Sequence, residues 1–196
     1  MGPVDQTPDR GVYLEGGAGI PASTPRPCRY HLDSRYLIPL LLGTDPVGPR
    51  SGEYQDVFDR LEAFVGGPEG RRLGASMIAI GEAFSEIAGD PRSFVPPSEE
   101  FSPSARLELL LRQNRLGICW AGHQGRHGGL QFLELARAVH GAVPGVGLAD
   151  VLIVTSALAC PTTTRLLTTD QALIGSPSRR SLGRRHRKGW EVTELP

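Results

Sequence analysis

Four acidic residues stand where carboxylates can do chemistry. Asp33 follows Tyr30-His31-Leu32, and Glu82 follows Ile78-Ala79-Ile80-Gly81. Asp150 opens the apolar run from Val151 to Ala159, and Asp170 follows Leu166-Leu167-Thr168-Thr169. Each has a local role open to it. Asp33, Asp150 and Asp170 can serve as helix N-caps, and Glu82 in a first helical turn would complement the helix dipole. Gathered in one cleft, the four would do something else. Close carboxylates raise one another's pKa, a cost that a cation removes. Hard oxygen donors of this kind suit Mg²⁺ or Mn²⁺, which activate water and offset charge on a phosphodiester. Glu86, one turn after Glu82, competes with it for the second position; the spacing from Ser76 favours Glu82.

Other chemistry is sparser. Arg179, Arg180, Arg184, Arg185, Arg187 and Lys188 put six cations into ten residues. Cations at this density hold phosphates, and Arg does so bidentately. A solvated loop or a dock for an acidic peptide would use the same residues. His123 and His127 are four apart, but Gly122, Gly125, Gly128 and Gly129 oppose the helix such a zinc pair needs. The glycine-rich stretch 66–74 lacks the Gly-Lys-Ser/Thr ending of a phosphate loop. Cys28, Cys119 and Cys160 are odd in number and far apart, with no CxxC. That argues against a disulfide framework and a Cys-rich zinc site, and it fits a reducing compartment. His31 and His140 read as structural, and Trp190 as core or edge packing.

The elements that must position the acids can be read from periodicity. Strands are expected at 29–33, 75–80, 165–168 and, as a last edge strand, 190–195, with a short one at 118–120. Helices are expected at 34–42, 54–65, 82–88, 105–116 and 130–140. Pro39 falls inside the first and is expected to shorten or kink it. The helix at 105–116 should bury Leu107, Leu110, Leu111 and Leu116, and the one at 130–140 a broad face including Leu130, Phe132, Leu133, Leu135 and Ala136. Residues 148–159 have strand-prone composition, yet twelve unbroken residues ending at Cys160-Pro161 favour a buried helix. Strands alternating with helices imply an α/β fold: a mostly parallel central sheet flanked by helices. Ligands in such sheets sit beyond the carboxyl ends of the strands, at a topological switch point. Acids that follow strands are therefore the ones to watch.

The chain has 196 residues, enough for one ordinary domain. Residues 1–28 carry ten Gly or Pro and no hydrophobic period, so they read as a flexible tail ahead of a domain at 29–196. Acids and bases balance at 21 each, which excludes a uniformly basic nucleic-acid coat. The balance hides a dipole: residues 1–100 hold 15 acids and 9 bases, residues 101–196 hold 6 acids and 12 bases. No apolar run is long enough to span a membrane, and no basic-then-apolar leader opens the chain, so a cytoplasmic protein is expected.

Leu32-Asp33-Ser34, the run from Ser76 to Glu82, the run from Leu148 to Leu158, and Leu166 to Asp170 resemble, in order and spacing, the four blocks of PIN-domain ribonucleases. The VapC-like branch is the most similar, over roughly residues 29–195. The resemblance implies a metal-dependent endoribonuclease in which Asp33, Glu82, Asp150 and Asp170 form the catalytic, metal-holding cluster. It also implies Mg²⁺ or Mn²⁺ as cofactor, with a water activated there attacking the phosphorus in line. Ser34 and Thr168 match the family's supporting hydroxyls. RNA is the implied substrate, with the basic run 179–188 gripping phosphates beside the site. A homodimer and an antitoxin-like protein partner fit the same branch. The chain departs from the pattern at Arg35, where the family often has Asn or Ser. That departure keeps a second reading open: a catalytically weak module that binds RNA or a protein.

Overall fold

A computed structural model describes residues 28–43, 50–66, 73–89, 102–119, 128–175 and 189–195. The rest of the expected tail, the basic run 179–188 and the pair His123 and His127 lie outside the described residues.

Five short strands form the centre: β1 (Tyr30–Leu32), β2 (Leu73–Ala75), β3 (Leu116–Ile118), β4 (Arg165–Leu167) and β5 (Glu191–Thr193). They pair in the order β3-β2-β1-β4-β5, and every pairing is parallel. Parallel neighbours need crossovers, and helices supply them. α1 (Ser34–Leu42) and α2 (Ser51–Val65) link β1 to β2. α3 (Met77–Gly89) and α4 (Pro103–Arg112) link β2 to β3. α5 (Gly128–Ala142) and α6 (Leu148–Ala159) link β3 to β4, and α7 (Gln171–Gly175) links β4 to β5. The result is the α/β architecture that the alternating pattern implied, a parallel sheet flanked by helices. No helix among the described residues is long and apolar enough to cross a membrane.

The centre of the core is β1 and α1. Leu32, Leu37 and Leu41 are fully buried, as are Ala75 and Leu166 on the neighbouring strands. This burial explains why α1 runs through Pro39, which withholds one backbone donor. Packing on nearly every side holds the helix where propensity alone would end it. It stops at Gly43, whose φ of 83° suits glycine and whose N–H returns to the Pro39 carbonyl.

Three expectations need correction. The apolar run 75–80 is not a strand: β2 ends at Ala75 and α3 begins at Met77. Ser76 makes the break. Its Oγ accepts from Ala79 N at 3.1 Å, and its own N–H donates to His31 Nε2 at 3.1 Å. Glu82 therefore sits in the second turn of α3, not the first. Leu116 does not belong to a helix at 105–116: α4 ends at Arg112, the chain turns at Asn114 (φ 56°), and Leu116 starts β3. On α5, Ala136 and Val139 face inward, while Leu130 and Leu133 are 64% and 53% exposed. The run 148–159 is the buried helix its length favoured.

Two glycines give opposite expectations. A Cβ at Gly74 would lie 2.5 Å from the Cys28 Cβ, inside β2. Gly74→Ala should therefore destabilise by about 1–3 kcal/mol in urea unfolding. Gly52, exposed in α2, meets nothing within 4 Å. Gly52→Ala should raise stability by about 0.5–1 kcal/mol.

Candidate active site

The strand order places a switch point between β1 and β4, because the chain winds outward from β1 through β2 to β3 and from β4 to β5. Asp33 and Thr168 are the first residues beyond these two strands. The register pairs Leu32 with Leu167, and Asp33 N continues the ladder to the Leu167 carbonyl at 3.1 Å. The two side chains therefore emerge side by side, and the Thr168 hydroxyl donates to Asp33 Oδ2. Asp33 Oδ1 accepts from Tyr36 N at 3.2 Å as the N-cap of α1. The same Thr168 oxygen accepts from Asp170 N at 3.0 Å. Asp170 Oδ1 in turn accepts from Ala172 N at 2.8 Å, where α7 begins. Ser34, first residue of α1, is buried beside Asp33.

Asp150 and Glu82 come from helices. Asp150 lies in the first turn of α6 and accepts from the backbone N–H of Gly147, the N-cap. Glu82 is half-buried, and its Oε2 is fully buried with no hydrogen-bond partner. A buried carboxylate oxygen with nothing to accept from is costly.

The electrostatics tie these residues together. Burial pushes the Asp150 carboxyl up, and the charges of Glu82 and Asp170 push it further; Arg35 and the Gly147 N–H oppose them. Burial raises Asp33 to about 6, against the opposing pull of Thr168, the Tyr36 and Arg35 backbone, and the Arg35 charge. Glu82, Asp150 and Asp170 are thus electrostatic neighbours, with Asp33 joined to Asp170 through Thr168. Among the described residues, however, no group of three or more His, Cys, Asp or Glu stands ready to hold a metal ion.

Glu86 lines a cleft of about 290 Å³ with Arg35, Arg50, Glu53, Tyr54 and Thr169, and its charge acts on Arg50. Of the two glutamates, Glu82 is the one whose charge acts on Asp150. Arg35 stands between the cleft and the acids, since it lowers Asp33, Asp150 and Glu53. His31 is structural, as read: it is fully buried, accepts from Ser76 N, and is pushed down to about 3 by burial. What the sequence reading missed is the meeting of the three cysteines, for which wide spacing gave no signal.

No protein-family model matches the chain, and no curated protein matches it. Among solved structures, a chain from the crystal structure of VapBC2 from Rickettsia felis bound to a DNA fragment from its promoter is similar at 14% identity and a TM-score of 0.48. The alignment covers 84% of this chain and 96% of that one.

Asp33 gives a pH test of the site. Its folded pKa, about 6, lies above the ordinary 3.8. Between these values the unfolded chain loses its proton first, so the stability from Asp33 is full below pH 3.8 and lost as pH rises through about 6. The shift corresponds to about 3 kcal/mol. In EDTA, wild type should lose roughly that much relative to Asp33→Asn between pH 4 and 6.5, measured by urea unfolding. Parallel pH profiles for the two proteins would show that Asp33 titrates as an ordinary carboxyl.

Proposed function

We propose that this chain is a metal-dependent endoribonuclease of the PIN-domain kind, close in design to VapC toxins. One observation carries the reading: Glu82, Asp150 and Asp170 crowd electrostatically at the switch point beside Asp33, and Glu82 keeps a buried oxygen without a partner. Carboxylates so placed repel, and the repulsion keeps them from closing into a coordination set unaided. The donor set is all hard oxygen, which fits Mg²⁺ or Mn²⁺ held by Asp33, Glu82, Asp150 and Asp170. Bound there, the ion would supply a Lewis acid that activates water and offsets charge building on the phosphodiester.

The chain's own residues prepare the site. Tyr36 N–H and the Thr168 hydroxyl fix both oxygens of Asp33. Thr168 also anchors the backbone of Asp170. Gly147 N–H holds Asp150 in the first turn of α6. Arg179, Arg180, Arg184, Arg185, Arg187 and Lys188 grip the RNA backbone in this reading. The substrate is RNA, the compartment the cytoplasm, and the working form a homodimer that an antitoxin-like protein holds in check. Exposed Leu130, Leu133 and Leu148 on the packed pair α5 and α6 support a covered face. Arg35 favours a second reading: its cation lowers both Asp33 and Asp150, an internal counter-charge that would serve a module binding RNA without cutting it.

A fluorescent-RNA assay separates the two readings. Cleavage should require Mn²⁺ or Mg²⁺, stop in EDTA, and fall by at least about a hundredfold in Asp150→Asn with the circular dichroism spectrum unchanged. Without metal, that variant should melt at or above wild type, because like-charge repulsion is relieved. Saturating Mn²⁺ at a hundred times its Kd should stabilise wild type by about 2.7 kcal/mol. A melting curve indifferent to Mn²⁺ sinks the metal site, and RNA binding without cleavage selects the second reading.

Replacing Arg184, Arg185 and Arg187 with Gln should weaken RNA binding and reduce the slope of log affinity against log salt by roughly 2. An unchanged slope removes the basic run from the RNA contact.

A further inference from the structure

Three sulfurs from distant parts of the chain meet in the interior. Cys28 precedes β1, Cys119 follows β3, and Cys160 is the C-cap of α6. All three are buried and form a cluster apart from the main core. Cys160 Sγ donates to Cys119 Sγ at 3.5 Å, and Cys119 also shares a hydrogen bond with the Cys28 thiol. None of the three is in a disulfide.

The strands make room for them. A Cβ at Gly74 would lie 2.6 Å from Cys28 Sγ and 3.0 Å from Cys119 Sγ, and one at Gly117 would lie 2.9 Å from Cys28 Sγ. Glycine weakens a strand interior, and here two adjacent strands carry one. The loop after α6 braces the cluster. Thr163 and Thr162 hydroxyls donate to the Cys28 carbonyl at 3.1 and 3.4 Å, and Thr162 Oγ1 lies 3.6 Å from Cys160 Sγ.

We propose that Cys119 and Cys160 form a peroxide-oxidisable dithiol that closes to a buried disulfide, with Cys28 as the bystander thiol. Closing the bond brings the sulfurs from 3.5 Å to about 2.05 Å. Cys160 reacts first, because its hydrogen bond with Cys119 holds its thiol below the usual range against the opposing effect of burial. Its sulfur attacks one peroxide oxygen, the O–O bond breaks, and Cys160 becomes a sulfenic acid as water leaves. The Cys119 sulfur then attacks the sulfenic sulfur, the S–O bond breaks, and a second water leaves with the Cys119 proton. In total, two thiols give up two electrons to one hydrogen peroxide and yield one disulfide and two waters. The new bond ties the end of β3 to the α6–β4 turn across 41 residues. It should raise the melting temperature by restricting the unfolded chain.

The full-length protein is treated with equimolar hydrogen peroxide, quenched, and alkylated in denaturant for intact mass and peptide mapping. Alkylated thiols should drop from three to one, the remaining label should sit on Cys28, and dithiothreitol should restore all three. The oxidised protein should melt higher than the reduced one. Cys28→Ser should still form the bond, and Cys160→Ser should lose it. Three alkylated thiols after treatment, a disulfide through Cys28, or intermolecular dimers alone would overturn the assignment, and these readouts on wild type hold even if a variant misfolds.

Discussion

The Thr168 hydroxyl holds two acids at once. It donates to Asp33 Oδ2 and accepts from Asp170 N–H, so a single oxygen fixes the spacing of the first and last members of the cluster. Its contact with Asp33 exists only because β1 and β4 pair in parallel with Leu32 opposite Leu167. A slip of one residue would turn Asp33 or Thr168 to the other face of the sheet. The crossover helices fix the register in turn by burying Leu32, Leu166 and Leu167. The site is thus a consequence of strand pairing before it is a matter of electrostatics.

Helix capping and membership of one electrostatic group are not alternatives for these residues. Asp33 caps α1, Asp150 reaches back to Gly147 N–H at the start of α6, and Asp170 caps α7. The backbone N–H groups and helix dipoles that make caps favourable also hold carboxylates that would otherwise repel one another. Glu82 is the exception. It sits in the second turn of α3, no cap engages it, and its buried Oε2 has no donor. Capping accounts for three of the four acids.

The sequence reveals the architecture and the acids but not every element that carries them. The Asp33 cap, α1 and α6 are legible because each begins at a marked boundary and runs as one apolar stretch. Glu82 is legible as a residue and misread in place. Ala75 to Ile80 is apolar apart from Ser76, and that serine's cap on Ala79 N together with its N–H contact to His31 starts the helix there. The outward turn of Leu130 and Leu133 is hidden for a related reason: an apolar helix face shows that something must cover it, not what does. The cysteines are illegible in principle. Their meeting depends on β3 lying two strands from β1 and on Gly74 and Gly117 leaving the space open.

α6 links the two chemistries and also keeps them apart. It carries Asp150 in its first turn and ends at Cys160. Between them Thr155 and Ser156 donate to the Val151 and Leu152 carbonyls, so its buried hydroxyls are satisfied and no charge lies along it. Twelve residues of helix span about 18 Å, too far for the charge at one end to set the pKa at the other. The dipole treats the ends oppositely. It favours a carboxylate at the first turn and disfavours a thiolate at the C-cap. Oxidation of Cys160 to a neutral disulfide would leave the field at Asp150 unchanged. Only a rigid displacement of the helix itself could carry a signal from the sulfurs to the acids.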